Sequence, residues 1–172
     1  MHIMTVCLGN ICRSPAAESV LVHKLKEAGL DDVTVSSAGT ADYHIGKRPH
    51  ELSIAEGESR GYAFSSTALQ FTADHFEEAD LVLVMDGSNA DNVRALARRP
   101  EDEAKVVRLG AFAPDAADGV RDVADPWGHS REAYLTMYDQ VEEAVDGLVA
   151  ALADGTVSQV IAATDNRRGG QR

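Results

Sequence analysis

The run Asp80-Leu-Val-Leu-Val-Met85 is the strongest strand pattern in the sequence, with five apolar residues in succession. Successive residues of a strand point to opposite faces, so a strand of this kind must be covered on both. Three shorter segments read as companion strands: His2 to Val6, ended by Gly9-Asn10; Val33 to Ser36, ended by the turn Ala38-Gly39-Thr40; and Lys105 to Leu109. Helical stretches separate them. Pro15 opens the stretch AAESVLVHKLKEAG, with Ser14 expected as N-cap and Gly29 as C-cap. Residues 49–60 form a second helix, opened by Pro49 and closed by Gly61. Asp86-Gly-Ser-Asn89 starts a third, ending near Arg98-Arg99-Pro100. Residues 110–129 are rich in Gly, Pro and Asp and read as a long loop. From Arg131 to about Ala153, apolar residues recur at Tyr134, Met137, Val141, Val145, Leu148 and Leu152, the stripe of an amphipathic helix. Strands that alternate with helices imply an open, parallel α/β sheet flanked by helices on both faces, in one domain over residues 1–153. Residues 154–172 end in NRRGGQR, offer little to bury, and are expected to be a flexible C-terminal tail.

In such sheets ligands bind beyond the carboxyl ends of strands, where a helix begins. The segment Cys7-Leu-Gly-Asn-Ile-Cys-Arg13-Ser14-Pro15 occupies that position between the first strand and the first helix. Backbone N–H groups gather there at the positive end of a helix dipole, a ready site for a dianion. Gly9 permits a tight turn, and Asn10 tolerates a left-handed conformation. Arg13 adds a planar fork able to hold two phosphate oxygens at once. Leu8, Gly9, Asn10, Ile11, Cys12, Arg13 and Ser14 are therefore the expected phosphate-binding loop. The thiolate is the reactive form of cysteine, and helix N-termini and nearby cations favour it. Cys7 is accordingly the expected nucleophile, with the Ser14 hydroxyl placed to donate to its sulfur.

Composition narrows the partners. The chain has 172 residues, 44% of them apolar and 26% charged, as expected for one globular domain. The formal net charge of −12 makes nucleic acid and anionic membrane poor partners. A protein this acidic must bind phosphate with local dipoles and a few placed cations. The two cysteines, Cys7 and Cys12, are too few and too close for a disulfide-stapled secreted protein. There is no leader pattern and no apolar run near the ~20 residues that span a bilayer, so a cytoplasmic location is expected.

The run VCLGNICRSP resembles the motif of the low-molecular-weight protein tyrosine phosphatases. The resemblance extends through Ser37-Ala-Gly-Thr40, Ala79-Asp-Leu-Val-Leu-Val-Met-Asp86 and Asp125-Pro-Trp127, covering about residues 1–150. It implies a four-stranded parallel sheet, a phosphocysteine intermediate on Cys7, and neither metal nor cofactor. Phosphotyrosine-containing proteins are the implied substrates and inorganic phosphate the product. Asp115, Asp122 and Asp125 are all acidic residues of the long loop, and composition does not choose among them. The family pattern chooses Asp125 as general acid and then base toward water. Pro126 restricts the backbone on both sides and could hold that carboxylate in place.

The resemblance also puts Tyr43 and His44 on one side of the substrate cleft, with Trp127 opposite and Ile11 toward the substrate ring. Lys47 and Arg48 would add positive potential beside it. Asn10, Ser14 and Ser37 match a hydrogen-bond network that supports the loop, and Asp86 reads as a cap and network residue. One departure stands out. Many members carry His-x-Ala-Arg where this chain reads Ser66-Thr-Ala-Leu69. Ser66 is shorter than histidine, though able to reach a partner. His23 and His75 read as structural or solvated. Family members with the Cys7–Cys12 pair use it to protect the nucleophile from over-oxidation, so a redox role for both is expected. Rival readings on the same fold are small-thiol arsenate reduction, phosphoarginine hydrolysis, which relatives perform with threonine at the position of Ile11, and phosphopeptide binding without turnover. An internal cysteine relay is excluded, because no cysteine follows Cys12.

Overall fold

The structure, a computed structural model, describes residues 1–169, with side chains through Ala163. In chain order the elements are β1 (His2–Cys7), α1 (Arg13–Glu27), β2 (Thr34–Gly39), α2 (Glu51–Ser59), α3 (His75–Glu78), β3 (Leu81–Val84), α4 (Gly87–Arg94), α5 (Pro100–Ala104), β4 (Val106–Arg108), α6 (Arg131–Asp154) and α7 (Val157–Gly169). The four strands form one parallel sheet in the order β2-β1-β3-β4. β1 is central: His2 to Cys7 runs beside Thr34 to Gly39, and Ile3 to Val6 beside Leu81 to Val84.

The expected two-sided burial follows from the side-chain period of a strand. Ile3, Cys7, Leu81, Leu83 and Val107 face a core built with α1 and α6. Met4, Val6, Val82, Val84 and Val106 face a smaller core with Phe71, Phe76, Ala90 and Val93. Each fully buried Leu, Val, Ile or Phe contributes about 1.5–3 kcal/mol, so both faces are held by apolar burial. The α6 stripe is buried from Tyr134 to Leu148, while Leu152 is only partly covered. Gly147 lets α6 approach the 3-10 turn Leu109–Phe112, since a Cβ there would lie 1.9 Å from the Phe112 carbonyl oxygen.

Several boundaries differ from the sequence reading. Cys12, not Ser14, precedes α1, and Ser14 is spent elsewhere. Ala38 and Gly39 belong to β2 instead of ending it, because Gly39 pairs onward with the segment Leu69 to Phe71. The third helix is two: α4 stops at Arg94, and Pro100 opens α5 instead of ending its predecessor. Asp102 receives the N–H groups of Arg98 and Arg99, which starts that second helix. The four residues of α3 are too few to show a period. The long loop contains two 3-10 turns, Leu109–Phe112 and Ala116–Asp118.

Within residues 154–172, expected as a flexible tail, the described part is largely helical. Gly155 ends α6 in a left-handed conformation (φ 69°), and α7 follows, with Val157, Val160 and Ile161 packed against the larger core. These three share a helical face, a pattern that the polar end of the segment conceals. The last three residues, 170–172, lie outside the described residues.

Candidate active site

β1 delivers Cys7 to the carboxyl edge of the sheet, level with Gly39 of β2. Gly39 is required by close approach. A Cβ there would lie 2.7 Å from the Leu8 carbonyl oxygen and 2.9 Å from the Asn10 nitrogen, so any side chain would displace the loop. Asn10 turns the loop in the left-handed region (φ 54°), as its residue type permits. The turn aims the Asn10 N–H at the Cys7 sulfur, 3.3 Å away.

Asn10 is buried and fully engaged. Its Nδ2 donates to Ser14 Oγ at 2.8 Å and to Ser37 Oγ at 3.0 Å, while its Oδ1 accepts from the Leu69 N–H at 2.9 Å. Ser14 Oγ lies 3.1 Å from Cys7 Sγ and 3.2 Å from the Ala38 carbonyl oxygen. One hydroxyl hydrogen therefore has two acceptors. With a thiol at Cys7 it goes to Ala38 and the thiol donates to Ser14; with a thiolate it can turn to the sulfur. The start of α1, the Asn10 N–H and the Ser14 hydroxyl all present positive ends of dipoles to Cys7.

Glu18 completes the support, and the sequence reading overlooked it. Its Oε2 accepts from Ser37 Oγ at 2.5 Å and from Ser66 Oγ at 2.8 Å. Ser66 thus reaches the loop through a carboxylate, and Leu69 contributes its backbone in place of any side chain. No sequence pattern singles it out: Glu18 lies one turn beyond Ser14 on a helix whose neighbouring residues are buried, which only the fold reveals.

Arg13 is 3% exposed, and its guanidinium faces the pocket edge held by two carboxylates. Nη1 donates to Asp86 Oδ2 at 2.5 Å and to the Val123 carbonyl at 3.2 Å. Nη2 donates to Asp125 Oδ2 at 3.3 Å. Asp86 also caps α4 through Asn89 N at 2.7 Å, so the cap and network role is present, with the Arg13 ion pair added. Asp125 Oδ1 accepts from the Trp127 N–H at 3.1 Å. Asp115 and Asp122 are instead paired with Arg121 and Arg108, at 2.8 and 3.0 Å, and only Asp125 of the three lines the pocket.

That pocket has a cavity volume of about 170 Å³. Cys7, Gly9, Ile11, Cys12 and Arg13 form its base, and Leu8, Tyr43, His44, Asp125 and Trp127 its sides. Trp127 is 59% exposed and Tyr43 66%, so neither is a core residue. Lys47 and Arg48 are exposed and do not line it. His23 pairs with Glu27 at 3.3 Å and His75 accepts from the Thr72 N–H at 2.8 Å, both away from the pocket.

Beneath the loop, Cys12 Sγ lies 3.6 Å from Tyr134 Oη, which is 3.2 Å from His50 Nδ1. Burial pushes the Cys12 thiol up to about 12. Cys7 and Cys12 are both free. No cluster of three or more His, Cys, Asp or Glu among the described residues is placed to hold a metal.

Residues 2–158 match the family described as low molecular weight phosphotyrosine protein phosphatase. The chain belongs to that family. It is 37% identical to the low molecular weight protein-tyrosine-phosphatase of Streptomyces coelicolor over 154 residues, 89% of this chain and 94% of the relative. Among solved structures it is similar to a protein tyrosine phosphatase from Entamoeba histolytica with Hepes in the active site (TM-score 0.84, 28% identity, 91% of this chain and 99% of that one). It is also similar to the YwlE arginine phosphatase, solved with a phosphorylated active-site serine (TM-score 0.80, 29% identity, 89% and 96% of the two chains). Family membership accounts for the shared sheet order and for the loop between β1 and α1.

Proposed function

We propose that the protein hydrolyses phosphotyrosine on protein substrates through a phosphocysteine intermediate. The observation that carries this reading is the convergence of Cys7, Arg13 and Asp125 on one pocket with largely apolar sides. Phosphate oxygens bind the loop N–H groups and Arg13, which leaves phosphorus facing the Cys7 sulfur. The thiolate attacks phosphorus, and the phenolic oxygen leaves with the proton of Asp125. Asp125, now a carboxylate, takes a proton from the water that attacks the phosphocysteine, so inorganic phosphate departs and the thiolate returns. Asp125 contacts Arg13 at 3.3 Å, and a phosphoryl group on Arg13 takes over that contact and frees the carboxyl for proton delivery.

Ile11, Tyr43, His44 and Trp127 suit a flat aromatic ring, by apolar contact and offset stacking. Likeness to an arginine phosphatase makes phosphoarginine the second reading. The apolar Ile11 in the pocket base favours the aromatic substrate. Comparing phosphotyrosine, phosphoserine and phosphoarginine peptides tests the assignment: phosphotyrosine should be turned over fastest, and a preference for phosphoarginine would reverse it.

The Cys12 thiol, next to Cys7 in one tight loop, is assigned a protective role. Peroxide converts the Cys7 thiolate to a sulfenic acid; the Cys12 sulfur then attacks it, a disulfide forms and water leaves. A reducing compartment such as the cytoplasm restores the thiols, in keeping with the proposed location. No helix among the described residues is long and apolar enough to cross a membrane.

A further inference from the structure

A second concavity adjoins the catalytic pocket across Leu8 and Tyr43, which line both. It is an open groove of about 440 Å³, between the turn after β2 and the residues of and beyond α4. Leu8 and Leu96, 40% and 37% exposed, give it aliphatic surface. Gln70 and Asn92 add neutral polar groups, and Asp42 is its single charge. Among the described residues Asp42 has no ion-pair partner.

Continuity with the catalytic pocket identifies the occupant. With the phosphoryl group on the Cys7 loop and the ring beside Tyr43 and Trp127, the substrate main chain emerges at the pocket mouth, against the exposed edges of Leu8 and Tyr43. The next residues of the chain meet the groove. Its chemistry, aliphatic surface beside one unpaired carboxylate, matches a side chain with an apolar stem and a cationic tip. We infer that this groove binds the residues flanking the phosphotyrosine and that Asp42 selects lysine or arginine there. The inference rests on the phosphotyrosine reading above. Leu96 and Leu8 support the stem, while the Asp42 carboxylate takes the charge.

An exposed ion pair changes kcat/KM by about 1.4-fold to fivefold, and exchanging lysine for glutamate adds the repulsion to that difference. The test uses phosphotyrosine peptides carrying lysine or glutamate at each flanking position in turn, with para-nitrophenyl phosphate as a substrate without flanks. Wild type should favour lysine at one or two positions by about threefold or more. Asp42→Asn should abolish that preference and Asp42→Lys should reverse it, with para-nitrophenyl phosphate turnover unchanged. Asp91, exposed on α4 but outside the groove, is the control for the general acidic field; Asp91→Asn should leave the preference intact. A preference that survives Asp42→Lys, or that Asp91→Asn weakens equally, overturns the groove assignment, as does a wild type that hydrolyses all the peptides alike. A wild type that hydrolyses para-nitrophenyl phosphate but no phosphotyrosine peptide instead overturns the phosphotyrosine reading beneath it.

Discussion

Arg13 and Asp86 are joined by a 2.5 Å ion pair between a buried guanidinium and the carboxylate that caps α4. Arg13, proposed to bind phosphate, is thus aimed by the strand-to-helix junction after β3, the counterpart of the junction after β1 that carries Cys7. Both sit at the carboxyl edge of the sheet, the expected ligand side of an open α/β fold.

Asp86→Asn separates the two jobs of that residue. Asparagine is as good a cap as aspartate, whereas alanine costs about 0.5–2 kcal/mol. Thermal unfolding should therefore show Asp86→Ala to be less stable than Asp86→Asn. Both variants should lose kcat/KM toward aryl phosphates, because Arg13 loses its orienting charge. Arg13→Lys should be more damaging still, since an ammonium cannot supply the planar fork. Full activity in Asp86→Asn would show that Arg13 is positioned without the ion pair.

Protonation matters most for a poor leaving group. Asp125→Asn should slow phenyl phosphate by about 10²–10⁴-fold and activated aryl phosphates far less in the leaving-group step. Steady-state and single-turnover rates across a series of leaving groups measure this. A uniform loss in the first step would mark Asp125 as structural.

The fold was legible because both of its periods were strong: the apolar run at Leu81 to Met85 and the α6 stripe each identify their element alone. The loop between β1 and α1 was legible as a candidate site because Cys7, Gly9, Asn10, Arg13 and Ser14 lie together in the chain. What was missed depends on contacts distant in sequence or carried by backbone. The Glu18 bridge joins Ser37 and Ser66, and the Leu69 N–H holds Asn10, neither of which residue type or local spacing reveals. The α7 packing was hidden for a similar reason, since Val157, Val160 and Ile161 have meaning only against the core that they meet.

Glu18 is an unassuming helix residue by sequence and the centre of the loop support by structure. Glu18→Ala removes the acceptor of two hydroxyls, and each lost hydrogen bond costs about 0.5–1.5 kcal/mol. The expected outcome is a lower melting temperature together with weaker phosphate inhibition. Glu18→Gln, which keeps an acceptor, should recover most of both. If phosphate affinity is unchanged in Glu18→Ala, the bridge supports the fold and not the loop.

Cys12 makes a redox prediction whose pH dependence has a definite sign. Its thiol is held neutral by burial, with a pKa up to about 12, and the thiolate fraction grows as pH rises toward that value. Disulfide formation after a pulse of peroxide should therefore accelerate by up to about tenfold per pH unit between roughly pH 7 and 9. Wild type should recover activity with a dithiol and show a Cys7–Cys12 linkage by mass spectrometry, whereas Cys12→Ser should recover poorly. Equal recovery in the two proteins would leave Cys12 without a protective role.

The covalent step is the centre of the account, and the Asp125→Asn variant exposes it. An activated aryl phosphate leaves without an acid, but hydrolysis of the phosphoenzyme still needs the base, so the intermediate should accumulate. Rapid acid quench followed by peptide mapping reads where the phosphoryl group sits. The expected result is a burst of phenol close to one equivalent per enzyme, with phosphate on the Cys7 sulfur. Phenol release without a burst, and with no phosphate on Cys7, would contradict the mechanism.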